Sequence, residues 1–280
     1  MANVVKKIGI VSRCDHVDAL EMVKTILKCF GSKVDIVLAP MTAKALGVEG
    51  DTVLPVNKMR ENGVELIISV GGDGTVLRNI SKMDNPIPVL AINMGTLGFL
   101  VDVDPEDAIK TIENVLGGFK YSERARLAVS LNGEALQSAV NEVVIITAKP
   151  AKILTYKISV DECELEELRA DGVVFATPTG STAYAMSAGG PIIDPRVDAA
   201  LIVPLAPFKL SSRPWVVPAN GSIKVELTNP EKEAVIVIDG QHNYTISEHD
   251  VITLTKAEHP ARFVRTTISG FYKKVQSKLA

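Results

Sequence analysis

Hydrophobic residues follow two different spacings along the chain, and the change from one to the other falls near residue 121. Before this point, short apolar runs alternate with stretches such as 18–30, where apolar residues recur every three or four positions. Short apolar runs are typical of buried strands, and the wider spacing is typical of amphipathic helices. The N-terminal part therefore predicts strands alternating with helices, which form a parallel sheet with helices on both faces.

The predicted elements of this first part end at recognisable signals. Pro105 opens the last predicted helix and Gly117 and Gly118 close it, as proline and glycine commonly do. The predicted strands cover 7–11, 34–38, 64–70 and 88–93, and the predicted helices cover 18–30, 76–80 and 105–116.

From Arg126 onward the chain reads mostly as strands separated by Asn-Gly and Asp-Gly pairs, which favour tight turns. A run of strands after alternating strands and helices indicates a second, β-rich domain. We therefore expect an α/β + all-β chain, with an α/β domain over residues 1–122 and a β-rich sandwich domain over residues 123–263. The predicted strands of the second domain are 127–131, 139–147, 155–160, 172–176, 200–204, 222–227, 234–238 and 251–255.

One turn of the first domain carries candidate chemistry. The run Val70-Gly71-Gly72-Asp73-Gly74-Thr75 joins a buried strand to a predicted helix. Its glycines allow a sharp turn and the close approach of a ligand, and the N–H groups at the helix start attract anions. A carboxylate at this place could hold a metal beside phosphates or take a proton from a hydroxyl. A plain Asp-Gly turn with Thr75 as a helix cap is the alternative.

A second candidate site lies in residues 169–191, where a strand ends in a loop rich in glycine and hydroxyl groups and a helix is predicted to start at about Thr182. Such loops offer N–H and O–H groups to a phosphate or ribose. Tyr184 offers an aromatic face for a base, and Ser187 follows one helical turn later. An ordinary capped helix with Tyr184 in the core is the alternative.

Two further carboxylates interrupt apolar runs. Asn141 and Glu142 lie inside the apolar stretch 139–146, where polar groups must be paired or used, unless they mark a solvent-exposed strand end. Asp239 follows an apolar strand and precedes Gly240, and a hairpin turn is the favoured interpretation there.

Composition and charge narrow the function classes. The formal net charge of −3 argues against a nucleic-acid partner. The three cysteines are far apart, which suggests reduced thiols and a cytoplasmic protein. The N-terminus lacks the apolar core of a signal peptide and no apolar run reaches about 18 residues, so we expect no membrane association. The four histidines show no ligand spacing, and we expect no fixed metal site on the protein.

Known nucleotide-binding fingerprints are missing from the sequence. It contains no GxxxxGK[ST] run, which argues against a P-loop enzyme, and no GxGxxG after the first strand. Any dinucleotide is therefore expected to bind by another arrangement than the Rossmann one.

Taken together, the motifs resemble those of the NAD kinase family, whose members phosphorylate NAD to NADP. The resemblance covers roughly residues 65 to 241. It rests on the glycine-rich turn 71–75, on 93–100, on Asn141 and Glu142, on Asp171 and Gly172, and on 177–184 followed by 187–191. The resemblance implies a phosphofructokinase-like α/β domain and a β-rich domain with the NAD site between them, and it implies that residues 264–280 return to the first domain.

The resemblance also implies residue roles. Asp73 would be the general base that takes the proton of the adenosine ribose 2′-hydroxyl, and Gly74 would let the substrate approach. Asn141 and Glu142 would hold the adenosine and ribose side of NAD, and Asp171 the nicotinamide side.

Other matching positions complete this expected site. The dinucleotide pocket would be lined by Thr182, Ala183, Tyr184 and Ser187. Further contacts are expected from Arg78, Lys152, Arg169, Ala206 and Gln241. The donor phosphate would be held by Gly71, Gly72, Gly74 and Thr75, together with Mg²⁺ or another divalent cation carried by the donor.

The sequence leaves some alternatives open. The donor is ATP, another nucleoside triphosphate or polyphosphate, since Arg78 is the only basic residue near Asp73 in the motifs. A lipid kinase with the same glycine-rich turn would need an apolar or basic membrane patch, and none is evident. A non-catalytic NAD or NADP sensor would typically have lost Asp73. A homodimer or homotetramer is expected from the family, although core positions are the favoured interpretation for Leu205, Phe208, Leu210 and Trp215.

Overall fold

The computed structural model describes residues 4–95, 98–149, 152–228, 232–266 and 271–279. Thr96 and Leu97, in the family-like segment 93–100, lie outside the described residues, as do parts of the 264–280 segment. The described chain divides into two compact units, Met1–Glu123 with Ala261–Ala280, and Arg124–Pro260.

The strands, numbered along the chain, are β1 Lys7–Ser12, β2 Asp35–Leu38, β3 Leu66–Gly71, β4 Val89–Asn93, β5 Tyr121–Arg124, β6 Leu127–Leu131, β7 Glu134–Ala135, β8 Glu142–Thr147, β9 Leu154–Val160, β10 Cys163–Ala170, β11 Gly172–Ala176, β12 Ala199–Leu205, β13 Trp215–Pro218, β14 Ile223–Leu227, β15 Ala234–Ile238, β16 His242–Ile246, β17 Val251–Lys256 and β18 Ala261–Val264. The α-helices are α1 Val17–Phe30, α2 Pro40–Leu46, α3 Val56–Met59, α4 Asp73–Ile80, α5 Ala108–Leu116, α6 Tyr184–Ser187 and α7 Phe271–Leu279.

The first unit is built on a six-stranded sheet with the order β2-β1-β3-β4-β18-β5. The β1–β2, β1–β3, β3–β4 and β4–β18 pairs are parallel, which confirms the predicted parallel sheet. All six residues of β3 are buried, as expected for a strand covered on both faces. The chain adds β2 on one side of β1 and β3 on the other side, so the order of addition changes sides between β1 and β3. At such a point, open parallel sheets form a ligand crevice at the carboxyl ends of their strands.

The second unit contains two six-stranded sheets, ordered β10-β9-β14-β17-β6-β7 and β13-β12-β11-β8-β15-β16. The strand pairs within them are antiparallel. Both sheets contribute inward-facing side chains, such as Tyr156 from β9 and Phe175 from β11, to one hydrophobic core. The β-rich sandwich expected from the sequence is therefore confirmed.

Three local predictions were wrong. Phe208, Leu210 and Trp215 are 64%, 92% and 44% exposed, so they are not core residues, while Leu205 is partly buried. The predicted strand 139–147 begins only at Glu142, because other groups take the N–H groups just before it. The helix expected from Thr182 is shortened to a 3₁₀ turn, Gly180–Thr182, followed by the four-residue helix α6.

Candidate active site

The glycine-rich turn lies at the carboxyl end of β3, and Asp73 is the first residue of α4. Gly71 is needed because a Cβ there would lie 2.9 Å from the Cβ of Thr75. Gly72 is the N-cap residue, and its carbonyl accepts the Thr75 N–H at 2.9 Å. The turn therefore places the Asp73 side chain and the N-terminus of α4 at the carboxyl end of the parallel strands.

The Asp73 carboxylate is held by three backbone N–H groups from the loop after β4. Phe99 donates to Oδ2 at 2.7 Å, and Leu100 and Val101 donate to Oδ1 at 3.0 and 3.2 Å. A carboxylate offers about four acceptor positions, two on each oxygen. Among the described residues, the loop therefore fills Oδ1, whereas Oδ2 keeps one position for a hydroxyl.

Gly98 brings this loop close enough to make those bonds. A Cβ at residue 98 would overlap Asp73 Oδ1 and would lie 2.6 Å from both Asp73 Cγ and a methyl group of Val101. Any side chain at this position would therefore displace the carboxylate or the loop.

The C-terminal helix α7 adds two lysines that the sequence did not associate with Asp73. Lys274 Nζ donates to the Phe99 carbonyl at 3.3 Å and forms an ion pair with Asp102. Lys278 Nζ lies 3.9 Å from the centroid of the Phe99 ring. Burial lowers the pKa of both lysines, and the nearby Asp73 charge partly opposes this. Arg78 is the only basic residue near Asp73 in the motifs, and the fold adds these two lysines from α7, which lies far away in sequence.

A cavity of about 800 Å³ opens beside the same turn. Gly72, Gly74 and Thr75 line it, and Gly71 does not. The opposite wall is formed by the end of β1, by the residues after it as far as Asp15, and by the start of α2. This position is the crevice expected from the strand order.

Three basic residues line this cavity: Arg13, Arg78 and Lys82. Arg13 pairs with Asp15 through two bonds of 2.7 and 3.0 Å, and the hydrogen bond from Arg13 lowers the pKa of Asp15. Arg13 and Lys82 belong to no motif of the sequence, and only the fold places them at this cavity.

In the second unit, three predicted groups meet at one end of a sheet. Asn141 and Glu142 lie at the start of β8, residues 177–182 follow the end of β11, and Asp239 follows the end of β15. Thr177 donates through its N–H to the Asn141 carbonyl at 2.9 Å and through its hydroxyl to the Val140 carbonyl at 2.6 Å. The sandwich therefore brings together residues that are about a hundred positions apart.

The Glu142 side chain is buried, and its Oε2 has no hydrogen-bond partner among the described residues. Burial first, and the Asp239 charge second, raise the pKa of Glu142 to about 7, while the Tyr184 N–H opposes the shift. A buried polar atom without a partner is costly, so this oxygen is suited to accept a donor from a ligand.

Tyr184 and Ser187 are both exposed, while Ala185 between them is buried, so Tyr184 is not a core residue. Ala183 is partly exposed. Thr182 is buried, and its hydroxyl donates to the Thr179 carbonyl at 3.2 Å. Gln241 follows Asp239 closely and is partly buried at the same end of the sheet.

Of the other predicted residues, Asp171 and Ala206 lie at the opposite end of this sheet, while Arg169 belongs to β10 and Lys152 precedes β9 of the other sheet. Asp171 precedes β11 and Ala206 follows β12, and Arg169 stands 4.6 Å over the ring of Phe208. Lys152 is exposed two residues before β9. The five residues of β11 span about 16 Å, so one chain does not bring this group together with Glu142 and Tyr184.

A parallel α/β unit with a carboxylate at the start of α4, next to a cavity lined by basic residues, is the arrangement expected of a phosphotransferase. The chain matches the ATP-NAD kinase N-terminal domain family over residues 8–119 and the ATP-NAD kinase C-terminal domain family over residues 140–266. The chain belongs to the NAD kinase family, and it is therefore an enzyme that phosphorylates NAD.

Individual relatives agree with this assignment. The chain is 62% identical over 276 residues to the NAD kinase of Methanosarcina acetivorans, covering 99% of both chains. It is 61% identical over 276 residues to the NAD kinase of Methanosarcina mazei, covering 99% of this chain and 94% of the other.

Two solved structures are similar over the whole chain. The yeast NADH kinase complexed with NADH has a TM-score of 0.88 at 25% identity, covering 99% of this chain and 88% of that one. The NAD kinase from Archaeoglobus fulgidus in complex with ATP has a TM-score of 0.79 at 29% identity, covering 97% and 99%. Across the described residues, no helix is long and apolar enough to cross a membrane.

Proposed function

We propose that Asp73 is the general base of this NAD kinase and that the acceptor is the 2′-hydroxyl of the adenosine ribose. The observation that carries this proposal is the Asp73 carboxylate itself, held by three N–H groups with one position of Oδ2 left for a hydroxyl. The ribose oxygen attacks the terminal phosphorus of the donor while its proton passes to Asp73. The bond between that phosphorus and the bridging oxygen breaks, and NADP and the shortened donor leave.

We propose that ATP is the donor and that its phosphates occupy the cavity beside the turn. The N–H groups at the start of α4 and the side chains of Arg13, Arg78 and Lys82 favour an anion there. The ATP bound to the Archaeoglobus fulgidus enzyme supports this choice.

A divalent cation carried by the donor fits these residues. Among the described residues, no group of three or more His, Cys, Asp or Glu side chains could hold a metal ion. Mg²⁺ usually binds through one or two carboxylates and substrate phosphates, and Asp15 provides a carboxylate in the cavity wall. When bound, the cation neutralises charge on the transferring phosphoryl group.

We propose that the second unit is the NAD-binding domain. Glu142 accepts a hydrogen bond from NAD through its unpaired Oε2, Asn141 binds beside it, and the exposed Tyr184 ring packs on a base with Ser187 on the same face. Thr182, Ala183 and Gln241 line this end of the sheet.

We propose that the protein is a homo-oligomer in which the second group of residues serves the NAD site of another copy. Asp171, Arg169, Ala206 and Lys152 are too far from Glu142 within one chain, and exposed Phe208, Leu210 and Trp215 lie close to them in sequence. Sedimentation velocity is expected to show a dimer or tetramer, and a monomer at micromolar concentration would contradict this.

The reaction is tested by incubating the purified protein with NAD, Mg²⁺ and ATP and measuring NADP with an NADP-specific dehydrogenase. Parallel reactions contain polyphosphate instead of ATP, or NADH instead of NAD. We expect NADP from NAD and ATP. Turnover only with polyphosphate would overturn the donor assignment, and turnover only with NADH would overturn the acceptor assignment.

A further inference from the structure

The turn between β15 and β16 contains an aspartate, Asp239, whose side chain is unusually buried. Asp239 and Gly240 form an Asp-Gly hairpin turn with φ angles of +47° and +64°. Both values suit the tight hairpin turn that the sequence predicted. Turn carboxylates normally point to solvent, but Asp239 is only 4% exposed. The turn alone therefore does not explain why this side chain is buried.

The Asp239 carboxylate caps the start of β8. It accepts the N–H groups of Val140 at 2.8 Å, Asn141 at 2.8 Å and Glu142 at 3.0 Å. In return, the Asp239 N–H donates to the Glu142 carbonyl at 2.9 Å. Four bonds thus fix three consecutive residues, and hydrogen bonds to a charged acceptor are about twice as strong as neutral ones.

The opposite side of the same segment is held by the loop after β11. Thr177 binds the carbonyls of Val140 and Asn141, and a Cβ on Gly180 would lie 2.8 Å from the Asn141 Cα. The backbone between Val140 and Glu142 therefore has no room to shift, and the directions of the Asn141 and Glu142 side chains follow from it.

Asp239 also acts on Glu142 through its charge. Burial and the Asp239 charge raise the pKa of Glu142, and the Tyr184 N–H lowers it. Burial also raises the pKa of Asp239 to about 6, although its three backbone N–H bonds and the charge of Arg126 lower it. Removing the charge of Asp239 therefore lowers the pH at which Glu142 ionises.

We propose that Asp239 is a positioning residue of the NAD site, which sets the direction of the Asn141 and Glu142 side chains by fixing the backbone that carries them. The proposal rests on the assignment of that pair to NAD binding. In this role Asp239 does not contact the substrate. It acts through its hydrogen bonds to the backbone of residues 140–142 and through its own charge next to Glu142.

The test compares Asp239→Asn with Asp161→Asn and combines Asp239→Asn with Glu142→Gln. Asp161 is the matched control because it also lies in a turn with a φ of +50° and accepts one backbone N–H, from Ser222 at 2.9 Å, but it is exposed. KM for NAD, KM for ATP and kcat are measured between pH 6 and 8.

We expect Asp239→Asn to raise KM for NAD by about tenfold with KM for ATP unchanged, and Asp161→Asn to resemble the wild type. In the wild type, kcat/KM for NAD should rise as the pH rises through about 7, and in Asp239→Asn this rise should move to lower pH. In the Glu142→Gln background, Asp239→Asn should cost clearly less, because the two residues act as one unit.

An unchanged KM for NAD in a folded Asp239→Asn protein would overturn the proposal. If instead Glu142→Gln alone leaves KM for NAD unchanged, the assignment of Glu142 to the NAD site fails, and this result is distinct from the first. Should Asp239→Asn not fold, hydrogen exchange of the wild type decides: the amides of residues 140–142 should exchange together with those of residues 239–241, and independent exchange would contradict the proposal.

Discussion

Asp73 is the residue whose chemistry could best be predicted from the sequence. Three glycines around one carboxylate after a buried strand indicated a functional turn. The groups that hold this carboxylate could not be predicted. They are backbone N–H groups of residues 99–101, which lie 26 to 28 positions from Asp73 and have no side-chain signature. The same limit applies to Asp239, whose turn was predicted but whose three backbone partners were not.

Gly98→Ala should reduce turnover by displacing Asp73. The new Cβ would overlap Asp73 Oδ1 and lie 2.6 Å from a methyl group of Val101, so the loop and the carboxylate must separate. We expect kcat to fall by at least about tenfold, because a misplaced base loses much of its contribution. Steady-state kinetics at saturating NAD and ATP measure this.

Gly95→Ala is the matched control for this substitution. Gly95 lies in the same connection, and a Cβ there would meet no atom of the described residues within 4 Å, its chain neighbours aside. We expect it to keep wild-type kcat. Equal kcat values for Gly98→Ala and Gly95→Ala would show that the contact between Gly98 and Asp73 does not matter.

Among the secondary-structure elements, the strands that the sequence pattern did not predict are mostly edge strands. The strands β5, β7, β10, β13 and β16 lie at the ends of their sheets. An edge strand is covered less and tolerates charged residues, so β10 with its three glutamates has no apolar pattern. The central strands β3, β8 and β11 were predicted because they are buried on most positions.

The helix α7 was not predicted as an element, and its role depends on contacts across the first unit. Lys274 ties α7 to the loop that holds Asp73, through the Phe99 carbonyl and Asp102. Lys274→Met should loosen this loop and lower kcat by about threefold to tenfold, with a smaller change in KM for NAD. The same kinetic assay measures both constants.

Lys273→Met provides the comparison for α7. Lys273 is exposed on the same helix, so its substitution removes a lysine without touching the loop. If the two variants have the same kcat, α7 does not position Asp73. Recovery of kcat in Lys274→Arg would support a role for the cation itself, since Arg retains the charge.

On the scale of the whole molecule, the sequence predicted the order of the two folds and the family. The change of hydrophobic spacing near residue 121 indicated an α/β part followed by a β-rich part, and the structure contains both. It did not predict that Arg13 and Lys82 line the cavity beside the turn, or that Asp171 and Glu142 lie at opposite ends of one sheet. Such placements depend on strand order and register, which single-sequence patterns do not encode.

The proposed reaction depends above all on Asp73, which removes the proton of the attacking ribose hydroxyl. The most direct measurement is kcat of Asp73→Asn in the NADP-forming assay, beside NAD binding by calorimetry. Asn keeps the shape of Asp but does not accept the proton. Asp18→Asn is the control, because Asp18 also lies in the first turn of a helix after a strand but is exposed.

We predict that Asp73→Asn lowers kcat by about 10²–10⁴-fold, with NAD affinity within a few-fold of the wild type. Asp18→Asn should keep both values. A folded Asp73→Asn protein with kcat close to that of Asp18→Asn would rule out Asp73 as the general base, because the proton would then have another acceptor.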